Sequence, residues 1–192
     1  MRGDSSADQD QGLTGRFAPS PTGPLHMGSL VTALASYCDI KQRGGRWYLR
    51  IDDIDPVRTD PLAISDITRT LQVHGLNPDA GLRQQSHFVP RYERALQQLI
   101  EHCFYCRCSR SELQGHKLYP GYCRAITEQT SNRAVRIRVD PQRRSFTDAV
   151  KGDYGYVPAD DFGDFVIWRK EDFVTYHLAT ACDDAMDYSH VL

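Results

Sequence analysis

One segment of this sequence carries groups spaced for work on phosphate: Arg16-Phe17-Ala18-Pro19-Ser20-Pro21-Thr22-Gly23-Pro24-Leu25-His26-Met27-Gly28-Ser29-Leu30. GRFA (15–18) reads as a short strand that delivers Arg16 to the carboxyl edge of a sheet. PSPTGP (19–24), with three prolines and one glycine, then turns the chain sharply. His26 lands just before a helix whose N-terminal amides and dipole favour phosphate. Gly28 removes a side chain from the first turn, so a ligand can approach the backbone. The same residues also describe a proline-rich turn with a surface histidine, since neither a Walker loop nor GxGxxG is present.

A second group is Cys106-Arg107-Cys108 followed by Cys123. Two cysteines one residue apart and a third beyond a Gly/Pro-containing loop can converge on one tetrahedral zinc, with sulfurs at about 2.3 Å. On the residues alone the fourth ligand stays open between His116, a neutral imidazole that binds without losing a proton, and Tyr119, which would have to ionise. Four of the six cysteines fall within residues 103–123, which points to a structural metal site in a reducing cytoplasm rather than a disulfide scaffold. Cys38 and Cys182 stand in apolar surroundings as small hydrophobes. Arg133, Arg136, Arg138, Arg143 and Arg144 form a local basic stretch. Arg136 and Arg138 share one face of a strand and are candidates for contact with RNA phosphates.

The elements that must position these groups follow from periodicity. From Met27 to about Arg43, Leu30, Val31, Leu34, Tyr37, Cys38 and Ile40 recur at helical spacing, and Gly44-Gly45 end the helix. RWYLRI (46–51) is a β-type run, so the opening is strand–loop–helix–strand, one parallel βαβ unit. Asp60 and Pro61 start a second helix as N-cap and first helical residue, with Ile64, Ile67, Thr68 and Leu71 inward. A third begins near Pro90 with Tyr92, Leu96, Leu99 and Ile100 inward. AVRIR (134–138), SFTDAV (145–150), GYV (155–157) and DFVIWRK (164–170) read as short strands.

With 192 residues, 40% apolar and 25% charged, the chain is an ordinary globular protein, and a net charge of −2 gives no global attraction for nucleic acid. It lacks a run long enough to cross a membrane and an apolar leader at MRGDSSADQDQ, so a cytoplasmic location and no membrane partner are expected.

FAPSPTGPLHMGSL resembles the HIGH-containing signature of class I aminoacyl-tRNA synthetases of the glutamate type, with His26-Met27-Gly28-Ser29 in the HIGH position. YLRIDDIDPVR (48–58) resembles that family's next block, and DFVIWRKEDFVTYHLATACDD (164–184) its amino-acid-pocket segment. The cysteine spacing is most similar to a short branch that lacks an anticodon-binding domain and attaches glutamate to queuosine in tRNA(Asp). The resemblance implies an α/β Rossmann-type nucleotide-binding fold, its N-terminal half, with a zinc-binding insertion. It implies an ATP-dependent ligase, with Mg2+ on the ATP, acting as a monomer. Residue by residue, it implies glutamate contacts from Arg16, Phe17, Ala18, Pro19, Ser20 and Tyr176. It places the ammonium on Asp52, where the family usually has Glu. It implies ATP contacts from Pro19, His26, Gly28 and Ser29, with His26, Gly28 and Ser29 as the catalytic group. The C-x-C…Y-x3-C pattern selects Tyr119 with Cys106, Cys108 and Cys123 as one structural zinc site. Asp53, Asp55 and Arg58 read as a structural acidic turn.

These readings divide the chain into an unstructured lead-in (1–13), the first half of the catalytic domain (14–103), the zinc insertion (104–132) and a β-rich acceptor-binding stretch that opens the second half (133–192). After a segment like ATACDDAMDYSHVL the family continues with an Arg-Gly pair and a KMSKS-type loop. The chain is therefore expected to be an N-terminal portion, nearly inactive alone in ATP–pyrophosphate exchange. Two alternatives stay open: a shortened glutamyl-tRNA synthetase, and a non-catalytic zinc module that binds RNA.

Overall fold

The computed structural model describes residues 12–128 and 131–191, so the expected lead-in falls, but for Gly12 and Leu13, outside the described residues. The sheet that carries the histidine loop begins with β1 (Thr14–Phe17) and β2 (Arg46–Ile51), joined by α1 (Met27–Gln42). They pair in parallel, Thr14 with Arg46 through Phe17 with Leu49, as the βαβ reading requires. β3 (Arg83–Gln84) extends the sheet beside β2, also in parallel; two residues are too few to leave a sequence signal. On the free side of β1, Gly15 forms a parallel bridge with His190, and the amides of Ser189 and His190 donate to the Thr14 carbonyl, so this stretch lies against the sheet.

Helix α1 ends where Gly44 takes φ +73°, and Gly45 follows because a Cβ there would stand 2.6 Å from the Leu13 carbonyl oxygen. Of the apolar residues expected along the inward face of α1 only Ile40 is fully buried; Val31 and Leu34 are more than half exposed, and Cys38 is exposed as well. The face that packs is the small one, Ala33 and Ser36, because the Trp47 indole fills the space and donates to Ser36 Oγ at 3.0 Å. Phe17, Leu49, Ile51, Ile67 and Leu71 complete this core. α2 (Pro61–Val73) starts as read: Asp60 accepts from the Leu62 amide at 2.9 Å and Pro61 takes the first turn.

By contact the chain divides into two units, 12–89 with 179–191, and 90–178. In the second, β4 (Cys103–Cys106) pairs antiparallel with β5 (Ala134–Ile137), which pairs with β8 (Val166–Trp168). Strand β4 lies inside the stretch where periodicity fails: CFYC is buried on both faces and shows no alternation. Trp168 is buried here and its indole donates to Asp172 at 3.0 Å. β6 (Arg144–Asp148) and β7 (Gly152–Tyr156) form a separate hairpin, followed by the one-turn helix α4 (Pro158–Asp161). α3 (Val89–Leu99) buries Tyr92 completely, but Ile100, expected inward, stands 39% exposed in the turn that ends it. α5 (Tyr176–Asp187) runs from the second unit into the first in sequence.

Candidate functional site

The loop after β1 is pinned from below. Asp52 N–H donates to the Pro19 carbonyl at 3.0 Å and Asp60 N–H to that of Pro21 at 2.8 Å, fixing the proline bend to the exit of β2 and the start of α2. Above it opens a hollow of about 780 Å³, lined among others by Phe17, Pro19, Ser20, His26, Gly28 and Ser29. Six of the residues read from the sequence thus meet on one surface.

His26 is the N-cap of α1. Its Nδ1 accepts from the Ser29 amide at 3.2 Å, and Nε2 lies 3.3 Å from Ser29 Oγ. An Nδ1 used as acceptor leaves the proton of the neutral ring on Nε2, so the imidazole is a hydrogen-bond donor on its outer side. Gly28 has a reason beyond ligand access: a Cβ there would meet the His26 ring at 3.0 Å. The helix mouth therefore offers an imidazole N–H beside the first-turn amides and the positive end of the dipole.

At the carboxyl end of β1, Arg16 places Nε and Nη2 on the two oxygens of Asp184, at 3.0 and 2.6 Å. Arg50, 2% exposed at the carboxyl end of β2, donates from Nε and Nη2 to Asp52 at 2.6 and 3.2 Å and from Nη1 to Asp184 at 2.8 Å. Asp183 lies 3.8 Å from the same Nη1 and accepts from Gln85 at 2.9 Å. Three carboxylates against two guanidiniums leave a net charge of −1. The side chain of Asp52 has no exposed surface. Residues 50 and 52 share a side of the strand, so the short carboxylate falls against the guanidinium and presents no open oxygen to a ligand. Burial pushes Asp52 up to about 6, against the pull of Arg50 and Arg16.

Arg50, Asp183 and Asp184 were not singled out from the sequence, yet they carried a signal. An arginine between Leu49 and Ile51 in a strand bound for the core must find carboxylates, and an Asp-Asp pair in an otherwise apolar helix is the matching half. Asp53, by contrast, is structural as read: it accepts from the Ser86 amide and hydroxyl at 2.8 and 2.7 Å and from Gln84 at 3.1 Å. Asp55 caps its own turn at Val57 and pairs with Arg58 at 3.5 Å. Tyr176 opens α5, 52% exposed as a residue, with its ring edge-on to that of His177.

In the second unit the sulfurs of Cys106, Cys108 and Cys123 lie within 4.8 Å of one another. Cys108 and Cys123 are 3.6 Å apart, close to the ~3.8 Å edge of a tetrahedron with metal–sulfur bonds of about 2.3 Å. Of the two candidates for a fourth donor, the Tyr119 hydroxyl stands 3.6 Å from Cys106 Sγ and 3.7 Å from Cys108 Sγ and accepts from the Cys123 amide at 2.8 Å. His116 is turned away, exposed, with Nε2 at 3.1 Å from the Tyr122 hydroxyl. Burial raises Cys108 to about 11. Cys123 is held down to about 7 because the Arg107 amide and the neighbouring hydroxyl and thiols outweigh its own burial. Three thiols and a phenol at these separations could hold a metal ion. Cys103 stays apart, donating to the Leu99 carbonyl at 3.1 Å.

The basic stretch is corrected by the structure. Arg136 donates to the Asp164 carbonyl at 2.8 Å and lies over the Tyr119 ring at 4.1 Å, while Arg138 donates to the carbonyls of Cys103 and Arg124 and covers Phe104. These guanidiniums bind the cysteine-bearing segment to β5 rather than facing outward to phosphates, because a carbonyl-rich loop beside a strand needs donors of that reach.

Residues 13–192 match the sequence profile of the tRNA synthetases class I (E and Q), catalytic domain. A glutamyl-Q tRNA(Asp) synthetase of Pseudomonas aeruginosa (strain LESB58) is 41% identical over 174 residues, 89% of this chain and 59% of that protein. One of Acinetobacter baylyi is 40% identical over 181 residues, 93% of this chain and 62% of the relative. The chain therefore spans about three-fifths of the length of these relatives. Among solved structures, a glutamate tRNA ligase of Elizabethkingia meningosepticum in complex with its amino acid superposes with a TM-score of 0.79 at 25% identity, covering 94% of this chain and 43% of that one.

Proposed function

This chain belongs to the family of class I tRNA synthetase catalytic domains for glutamate and glutamine, and from that premise we propose that it binds glutamate and ATP at the mouth of α1, activates the amino acid and passes it to queuosine in tRNA(Asp). The observation that carries this reading is the meeting of Phe17, Pro19 and Ser20, which leave β1 beside Arg16, with His26, Gly28 and Ser29 on one hollow. Class I synthetases use ATP with Mg2+, which supplies charge neutralisation on the phosphates when bound.

The α-carboxylate of glutamate, already ionised, attacks the α-phosphorus of ATP and pyrophosphate leaves; AMP leaves when a queuosine hydroxyl takes the glutamyl group. Adenylation therefore needs no general base, and positioning and charge stabilisation do the work. Arg16 holds a substrate carboxylate. His26 Nε2–H and the amides of Gly28 and Ser29 hold the α-phosphate oxygens as charge builds on them. Asp52 acts on the ammonium at one remove, through the net charge of its cluster. Cys106, Cys108, Tyr119 and Cys123 would hold one zinc ion, since soft thiolates in a tetrahedral set select it, and the ion would fix the fold of the segment around it. A cytoplasmic, monomeric protein is part of the same reading.

The experiment is a calorimetric titration and co-crystal with glutamyl-sulfamoyl adenosine, a stable mimic of the adenylate. It should seat with its sulfamoyl group at His26 and its glutamyl carboxylate on Arg16. Replacement of His26→Ala should weaken binding about tenfold, the value of one charge-assisted hydrogen bond. An empty hollow, or binding that ignores both residues, overturns the reading. Incubation with labelled glutamate and tRNA pools with and without queuosine then separates transfer to tRNA(Asp) from charging of tRNA(Glu).

Glutamate affinity should also depend on pH. With Asp52 near 6 and facing Arg50, Arg16 and Asp183, acidification from pH 7.5 to 5 protonates it and raises the cluster charge from −1 to neutral, reducing attraction for the ammonium. The ionised fraction drops to about a tenth, so the dissociation constant should rise by up to ~10-fold. A flat titration between those pH values contradicts this.

A further inference from the structure

Resting on the glutamate-pocket reading above, we infer that Asp184 is a positioning residue that holds Arg16 by one edge and presents the other to the substrate carboxylate. A guanidinium has five N–H groups. Asp184 engages the Nε–Nη2 edge, at 3.0 and 2.6 Å, which leaves the two Nη1 protons and one on Nη2 as a fork for a second carboxylate. Asp184 is fixed in turn: its Oδ1 also accepts from Arg50 Nη1 at 2.8 Å, and Arg50 is locked onto Asp52 in the same strand. The relay Arg16–Asp184–Arg50–Asp52 therefore ends in the core, where Arg50 is 2% exposed.

A purely structural role is the weaker account. Burying alternating charges returns less than packing apolar side chains of the same volume would, so stability alone does not call for this cluster. Its solvent-side members are Arg16 and Asp184, at 12% and 19% side-chain exposure, and Arg16 sits on the carboxyl end of the strand from which the Pro19–Ser20 lining of the hollow departs. The relay does for a long, flexible side chain what preorganisation does for any binding group: its rotamer is chosen before the ligand arrives. It also occupies the edge on which a carboxylate would otherwise sit in the wrong register. Both Arg16 and Arg50 keep Asp184 below the usual carboxylate range, although burial works the other way, so the clamp stays closed at neutral pH.

The test is a double-mutant cycle on L-glutamate binding by the 192-residue chain, read by calorimetry. Arg16→Lys should weaken binding. Asp184→Asn should weaken it by on the order of tenfold in the wild-type background, the worth of one pre-ordered side chain. In the Arg16→Lys background the same change should cost less than about twofold, because the residue it orients is gone. Equal penalties in both backgrounds, or no penalty in wild type, overturn the inference while leaving the pocket intact. If wild type does not bind glutamate, or Arg16→Lys binds it unchanged, the pocket reading itself fails and takes this inference with it. A second measurement needs no variant. The Arg16 Nε–H signal in a proton–nitrogen NMR spectrum of the wild-type chain should be sharp and slow to exchange with water. A rapidly exchanging signal overturns the clamp even if Asp184→Asn does not fold.

Discussion

A Cys106→Ser variant should come off the column without zinc, whereas the wild-type chain should carry about one ion per molecule by elemental analysis. The expected effect is large because structural zinc contributes an apparent ~10–16 kcal/mol in small motifs at neutral pH, and the loop between β4 and Ile126 has no regular secondary structure of its own. The described residues there bury a small cluster, Phe104, Cys106 and Cys123, with Cys108, Tyr119 and Ile126 against it, and they contain no helix longer than a turn. Hydrogen exchange should accordingly rise across residues 103–128 in the variant while the amides of β2 stay protected. Tyr119→Phe keeps three thiolates and should lose affinity without losing the metal at saturating zinc. Metal-free wild-type protein with this segment fully protected would contradict the assignment.

Arg50→Met should be the most damaging single change in the first unit. It removes the guanidinium that, among the described residues, donates to both oxygens of Asp52, and one of the two that hold Asp184. Stranding a carboxylate with no exposed surface costs ~3–5 kcal/mol, and a domain of this size loses about 2–4 °C of melting temperature per kcal/mol. A drop on the order of 10 °C is expected at pH 7.5. The double variant Arg50→Met/Asp52→Leu should recover most of that loss, since replacing both members of a buried pair is often neutral. If the double variant melts no higher than the single, the cost lies in packing against Tyr188, over whose ring Arg50 lies at 5.8 Å, and not in charge.

Much of the first unit was legible in the sequence because its signals are local. Helical spacing from Met27, the Asp60-Pro61 start, and Gly44-Gly45 as a stop each depend on a few neighbouring residues, and each stands in the structure. The histidine loop was readable for the same reason. What escaped was non-local. Two-residue β3 gains its identity only from pairing with β2, and β4 hides in a cysteine-rich run because burial on both faces erases alternation. The ionic relay joins residues 134 positions apart, so charge types hinted at it but no spacing could. Arg136 and Arg138 were misread for the opposite reason: sharing a strand face says which way two side chains point, not that carbonyls wait there to receive them. Between His116 and Tyr119 the residues alone left the choice open and the family pattern pointed to Tyr119, whose hydroxyl lies within 3.7 Å of two sulfurs.

The tryptophans are shared out evenly, Trp47 inside the first unit and Trp168 inside the second, and the sequence holds just these two. Tryptophan fluorescence, excited at the red edge where tyrosine does not absorb, therefore comes with a built-in address: in a Trp168→Phe protein it arises only from the sheet beneath the histidine loop, in a Trp47→Phe protein only from the cysteine-bearing half. Denaturation followed on the pair can tell whether the halves melt together or one after the other, with no dye or label attached.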